Sequence, residues 1–220
     1  PYMRLPDPSL KRATGFLVPK LKTSSVLNTG IKIPYFVRLN KHKDLTVTPF
    51  YSPKTKTIEY RYRQAYNSGF MLIEGALTRD ALIPDKNRGY ILSEAGFILQ
   101  NDYNLGIQLQ AVSDPSYLFE YDFAQVDRLN TKLDLSRSRR YQSGEVKFSN
   151  YHSLRENENN ATQPTLVAEG AIESRLNPDM IKGEIGLEAN FLKSYRYSDL
   201  NNDGPDSDTL VDGYDTTRVS

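Results

Sequence analysis

The 220-residue sequence has no cysteine, no tryptophan, only two histidines and almost no net charge, with 28 basic against 27 acidic residues. Each deficit removes a class of protein. Without thiols there is no disulfide framework, and two histidines alone do not complete an ordinary zinc site. A formal charge of +1 supplies no basic field for a nucleic-acid backbone, so no nucleic-acid partner is expected. No apolar run approaches the roughly 18 residues of a membrane-crossing helix, and the start lacks the regions of a signal peptide. There is no phosphate loop, nucleophile elbow or paired metal motif, so neither an enzyme nor a bound cofactor is expected. The chain begins at Pro1 rather than Met and reads as a piece of something longer.

What the sequence does have is alternation. Ile31, Ile33, Tyr35, Val37 and Leu39 share one parity, with Lys32 and Arg38 on the other. Ile58, Tyr60 and Tyr62 alternate with Glu59, Arg61 and Arg63. Tyr103, Leu105, Ile107 and Leu109 alternate with Asn104, Gly106, Gln108 and Gln110. Ile185 and Leu187 alternate with Glu184 and Glu188. A period of two over such runs predicts strands with one dry and one wet face. Residues 69–78, 88–100 and 165–176 carry apolar side chains on both parities, which leaves their registers open.

The connections fall into two interleaved sets. Residues 40–43, 67–68, 101–102, 138–142 and 177–180 form short turns. Residues 53–56, 79–87, 113–127, 152–164 and 196–213 form a set that lengthens along the chain. Short and long connections alternate, so the long ones gather at one end of an up-and-down sheet. That asymmetry is the loop habit of outer-membrane barrels, whose strands of about 10 residues match the bilayer. The expected fold is therefore all-β, an antiparallel up-and-down transmembrane β-barrel, incomplete, with about eleven strands of a larger wall.

The cost of charge in lipid assigns the faces. An Arg on the lipid face near the midplane costs about 2–4 kcal/mol, and Glu59, Arg61 and Arg63 share a parity. The expected lipid face is then Ile31, Ile33, Tyr35, Val37, Tyr60, Tyr62, Leu105, Ile107, Leu109, Ile185 and Leu187. The expected lumen face is Glu59, Arg61, Arg63, Gln108, Gln110, Glu184 and Glu188. Tyrosines suit membrane interfaces, where the ring lies in an apolar layer and the hydroxyl stays wet. A soluble antiparallel sandwich alternates in the same way, which keeps a β-rich carbohydrate-binding module as an alternative. A passive outer-membrane porin is the other.

Three segments carry a family likeness: PYMRLPDPSLKRATGFLVP at residues 1–19, IPYFVRLNKHKDLTVTP at 33–49, and AVSDPSY at 111–117. In order and separation they resemble the LptD family, lipopolysaccharide-assembly proteins of Gram-negative outer membranes. The likeness runs from Pro1 to about Phe191, and the first third carries most of it. It implies that residues 1–14 are the end of a periplasmic jelly roll and its linker, and that residues 15–220 are the N-terminal part of the barrel. It also implies a location in the cell outer membrane with the N-terminal residues periplasmic. The implied partners are lipopolysaccharide, outer-membrane lipid, an LptE-type lipoprotein plug and a periplasmic lipopolysaccharide bridge reached through the missing jelly roll.

Pro19 and Pro34 match two prolines that the family places on its first two strands, where they form a lateral gate. A proline has no amide hydrogen to give the ladder, so it weakens a seam where no water compensates. The function this implies is passage of lipopolysaccharide through the lumen and sideways into the outer leaflet, at the seam of first and last strands. Pro49 reads as a strand-end breaker. Asp114, Pro115 and Ser116 are strong turn formers and point to loop shaping. Asp199, Asn201 and Asp203 fit the opening of a calcium loop, but the twelfth position is Leu210 rather than Glu. A solvated acidic loop is the expected reading there, and a weak divalent-cation site its alternative.

Overall fold

Runs of ten to twelve residues in which tyrosine and aliphatic side chains alternate with Thr, Glu, Arg and Lys favour the extended backbone. A computed structural model describes residues 13–156, 158–161, 164–176, 183–196 and 216–219, and most of them are strand. The strands are β1 (Gly15–Phe16), β2 (Lys20–Ser24), β3 (Asn28–Lys32), β4 (Tyr35–Arg38), β5 (Lys43–Ser52), β6 (Thr55–Tyr66), β7 (Gly69–Asp80), β8 (Asn87–Ile98), β9 (Tyr103–Val112), β10 (Arg128–Arg139), β11 (Gln142–Ser153), β12 (Pro164–Leu176), β13 (Ile185–Arg196) and β14 (Thr216–Val219). A short 3-10 turn (Gln100–Asp102) and one α-helical turn, α1 (Tyr117–Glu120), interrupt them. Among the described residues no helix is long and apolar enough to cross a membrane, a statement that does not bear on strands.

The fourteen strands make one antiparallel sheet. Its main path runs β1-β4-β5-β6-β7-β8-β9-β10-β11-β12-β13-β14, with β2 paired to β3 and β3 to β5. The path does not close on itself. The count exceeds the expected eleven chiefly because β1 with β2, and β3 with β4, are halves of single passes. The run from Ile31 to Leu39, expected as one strand, breaks at Ile33 and Pro34. Two further expectations are corrected. Residues 53–54 form a two-residue turn as tight as those of the short set, and Pro49 lies inside β5 rather than at its end.

Other connections follow the sequence closely. Asn101 and Asp102 both take positive φ (60° and 65°), the geometry of a mirror-image hairpin turn, which Asn and Asp tolerate. Residues 81–86 and 113–127 are the longer links at the opposite strand ends. The expected connections at 177–180 and 196–213 fall almost entirely outside the described residues.

The chain divides into two units, residues 1–94 with 111–125, and residues 95–110 with 126–220. In the first, register sorts the side chains into two faces. Val47, Tyr60 and Gly75 form one row, Leu45, Tyr62 and Ile73 the next, and Pro49, Ile58 and Leu77 a third. These rows are uncharged. Charge reappears on this face only at Lys43 toward one end and at Lys56 and Arg79 toward the other. From Lys43 to Tyr51, the partner of Lys56, is about 27 Å of strand at roughly 3.4 Å per residue. The opposite face carries Asp44, Arg63, Thr46, Arg61, Glu74, Thr48 and Glu59. In the second unit Leu105, Leu135, Val146, Gly170 and Phe191 form an apolar row, and Gly106, Asp134, Lys147, Glu169 and Leu192 lie on the other face.

Gly30 lets β3 approach β5. A Cβ there would lie 2.6 Å from the Tyr51 carbonyl oxygen and from Phe50 Cε2, and 2.8 Å from Ser52 Cβ. Two of these three neighbours are a backbone atom and a Cβ that cannot swing aside. Gly30→Ala is therefore expected to push β3 off β5 and destabilise the complete protein by about 1–3 kcal/mol, read from thermal unfolding in detergent. An unchanged melting temperature would contradict this packing.

Candidate functional site

The break in the first two passes has a definite bonding pattern. β1 pairs with β4 through Gly15 with Phe36 and Phe16 with Tyr35, and β2 pairs with β3 from Lys20 with Lys32 onward. Between these ladders residues 17–19 face residues 33–34, so the first pass carries one extra residue, a bulge. Leu17 N–H donates to the Pro34 carbonyl at 2.8 Å, and Ile33 N–H donates to the Pro49 carbonyl at 3.0 Å. In an antiparallel ladder such a pair exchanges two bonds. Here each makes one, because the proline has no hydrogen to return. Pro34 and Pro49 thus each withhold a bond, and Pro19 lies in the bulge beside them. Pro49 was missed as a member of this set, although its spacing of fifteen residues from Pro34 repeats that of Pro34 from Pro19.

On the polar face beside the break lies a cavity of about 400 Å³, lined by Lys20, Pro34, Glu59, Arg61, Arg63 and Tyr90 among others. Its charges are largely paired. Lys32 Nζ is 2.5 Å from Glu59, Arg61 is 2.8 Å from Glu74, and Arg63 reaches both oxygens of Asp44 at 2.9 and 3.1 Å. Glu59, Arg61 and Arg63 therefore share one face as expected from parity, and the apolar positions Tyr60 and Tyr62 share the other. Tyr35 and Val37 join Val47 and Leu45 on that apolar face, and Ile31 joins Tyr51. Ile33 lies in the break.

The second unit places the remaining residues. Leu105 and Ile107 stand opposite Leu135 and Leu133, on the parity that Leu109 shares. Ile185 and Leu187 stand opposite Leu176 and Ser174. Gln108 faces Lys132, and the Gln110 side chain accepts the Asn130 amide at 2.8 Å. Glu188 faces Glu173, and Glu184 is 3.6 Å from Arg175. Asp199, Asn201 and Asp203 lie outside the described residues, and no cluster of metal-ligating side chains occurs among the described ones.

A feature that parity did not reveal fixes the 113–127 loop. Arg88, at the start of β8, has a side chain only 1% exposed. It donates to Asp80 at 3.0 Å, to both oxygens of Asp114 at 2.9 and 2.6 Å, to Glu120 at 2.7 Å and to Ser116 at 3.2 Å. The Asp80 side chain is wholly buried, and it also accepts the Tyr121 hydroxyl at 2.7 Å. The guanidinium lies 4.9 Å from the Tyr117 ring centre. Tyr117 O–H meets Thr78, and Tyr121 O–H meets Thr55 at 2.7 Å. The Ser113-Asp114-Pro115-Ser116-Tyr117 motif thus shapes the loop and seats α1 on the polar face. Partial burial alone would raise the Asp114 carboxyl. Hydrogen bonds from Arg88 and Ser113 outweigh it and hold the group below its usual value.

Removing Arg88 leaves a buried carboxylate without its partner, a change that costs about 3–5 kcal/mol. Arg88→Met is expected to release residues 113–127, seen as new protease cleavage in the loop. Arg88→Lys should not restore protection, since an ammonium lacks the planar fork. The Asp114 contribution is complete above the unfolded carboxylate value of about 3.9 and is lost as pH falls through the lower folded value. Protease resistance of the loop should therefore persist at pH 5 and fail only well below pH 4. Cleavage already at pH 5 would remove Asp114 from the anchor.

Comparison with known proteins places these features. The model of the family described as "LptD: LPS transport system D" matches residues 86–220. The chain is 26% identical over 133 residues to the LPS-assembly protein LptD of Shigella boydii serotype 4 (strain Sb227) and of Shigella dysenteriae serotype 1 (strain Sd197), and 26% identical over 134 residues to that of Escherichia coli (strain K12). Each match covers 56% of this chain and 17% of the relative, so the matched region is a small part of those proteins. The family match takes in the motif at 113–117 and begins after Pro19 and Pro34, so the first third of the chain, expected to carry most of the likeness, lies outside it. A family match over more than half of the chain is decisive: this protein belongs to the LptD family.

Proposed function

We propose that this chain is the opening part of an outer-membrane β-barrel wall that inserts lipopolysaccharide into the outer leaflet. The apolar face meets lipid, and the polar face, with Glu59, Arg61, Arg63, Gln108, Gln110, Glu184 and Glu188, lines a watery lumen. The first pass forms a lateral gate with the last strand of the complete barrel, and Pro19 and Pro34 weaken it. Lipopolysaccharide sugars move along the charged face while the acyl chains leave sideways. An LptE-type lipoprotein plug occupies the lumen, and a periplasmic lipopolysaccharide bridge delivers cargo at the N-terminal side; residues 1–12 of the expected jelly-roll end lie outside the described residues.

The single observation that carries this reading is the row of half-made ladder bonds at Leu17 with Pro34 and Ile33 with Pro49. Each absent bond lowers the cost of parting the strands by about 0.5–1.5 kcal/mol. That is enough to bias a seam and too little to break a wall. A passive pore has no use for such a seam, which disfavours the porin reading. The uncharged rows on the uncovered face oppose the soluble reading.

In the complete protein, a disulfide joining the first strand to the last is expected to stop lipopolysaccharide export while leaving the barrel folded by gel mobility. Pro34→Ala, which restores a donor toward Leu17, should slow export without abolishing it. Unimpaired export after efficient cross-linking would overturn the gate.

A further inference from the structure

We infer that the element that moves at this gate is the whole hairpin of β2 and β3, and that the 113–127 loop is its latch. This inference rests on the lateral-gate reading above. Three observations define the hairpin as a flap. Below it, the line of half-made bonds at Leu17, Pro34, Ile33 and Pro49 separates it from β1 and β4. Beside it, β3 is joined to β5 by only two ladder pairs, Ile31 with Tyr51 and Lys32 with Phe50, whereas β5 and β6 share ten. On its outward face Leu21 is 78% exposed.

The polar side is where the hairpin is held. Lys22 Nζ donates to the Tyr121 carbonyl at 2.5 Å and lies 3.8 Å from the Asp122 carboxylate. Lys22 and Lys32 stand 6.0 and 5.6 Å from the centre of the Phe123 ring. At the hairpin tip Leu27 is fully buried against Phe50, Tyr117 and Tyr121, and its carbonyl accepts the Ser52 hydroxyl at 2.6 Å. These contacts of the loop to the hairpin come from residues 117–123.

The two ends of the latch differ in strength. Its wall end is fixed to β6, β7 and β8 through Thr55, Thr78, Asp80 and Arg88, in a buried charged network. Its hairpin end is one lysine, one aromatic ring with two cations beside it, and the apolar pair Val26 and Leu27. Release therefore occurs between loop and hairpin, with the loop staying on the wall. Once the loop contacts and the Lys32 to Glu59 ion pair part, the flap turns about the proline line, where ladder bonds are already missing. Lys22 is the residue that positions the flap, since it alone donates a hydrogen bond from the hairpin to the loop among the described residues.

Hydrogen exchange on the complete protein in its native assembly tests the latch without reference to transport. Lys22→Met, alone and with Phe123→Ala, is expected to speed amide exchange in residues 20–32 by about tenfold or more and to leave β6 and β7 unchanged. Lys22→Arg, which keeps both the charge and a donor, should stay near the original rate. Pro49→Ala returns a donor to the Ile33 carbonyl and should slow exchange in the hairpin. Unchanged exchange in both Lys22→Met variants overturns the latch, and no slowing with Pro49→Ala overturns the hinge. Failure here leaves the seam cross-link result intact, whereas unimpaired export after cross-linking removes the gate and leaves the exchange result standing.

Discussion

The backbone ladder is the constraint on which the rest depends. A wall with hydrocarbon on one side has no water to satisfy a stray amide, so each strand must find its hydrogen bonds in its neighbours. Full registers between β5, β6 and β7 leave each side chain only a choice of face. Charges collected on one face then meet directly across strands, as Arg61 meets Glu74, Arg63 meets Asp44 and Lys147 meets Glu169. Of these, the half-exposed pairs Arg61 with Glu74 and Lys147 with Glu169 are each worth at most about 1 kcal/mol. Their consequence is positional: they keep long cations on the polar face and away from the uncharged rows.

Two departures from that ladder have opposite signs. The prolines subtract bonds along one line, at about a kilocalorie per mole each, and leave the first hairpin loosely joined. Arg88 adds a buried ionic network that couples β7, β8 and the 113–127 loop, and undoing it costs several times as much. The same small region thus holds both the weakest and the firmest attachments of the first unit.

Much of this was legible in the sequence because parity is local. Glu59, Arg61 and Arg63 could be assigned to one face from their own neighbours, and the two-residue turn at 67–68 from its composition. Arg88 could not, because its partner Asp114 lies 26 positions away and the strand between them reads as blurred. A similar blur in β7 has a physical source, for there Phe70, Leu72 and Ala76 share the face of Glu74 and Thr78. Ala76 is fully buried there and Thr78 lies beneath Tyr117, so that stretch of the polar face is covered and tolerates apolar residues. The helical turn α1 had a signal in the spacing of Tyr117, Leu118 and Tyr121, yet four residues are too few for a period to stand out. Pro49 was read from its position at the end of an apolar alternation, when its effect depends on which neighbour its missing hydrogen faces.

The location of the core separates the membrane reading from the soluble one. In a soluble sandwich the apolar face of each sheet is covered by a second layer, and the polar face meets water. In the first unit this is reversed. The fully buried large side chains Phe50, Tyr117 and Tyr121 belong to a cluster on the polar face, where α1 folds over Thr55, Thr57 and Thr78. On the other face Ile58 and Leu77 stand opposite each other at 55% and 67% exposed. A continuous uncovered apolar surface of this kind is rare on soluble proteins and calls for an apolar medium against it. In the first unit the covered side is the polar side, and the loop that folds over it also meets the β2–β3 hairpin through Lys22 and Leu27.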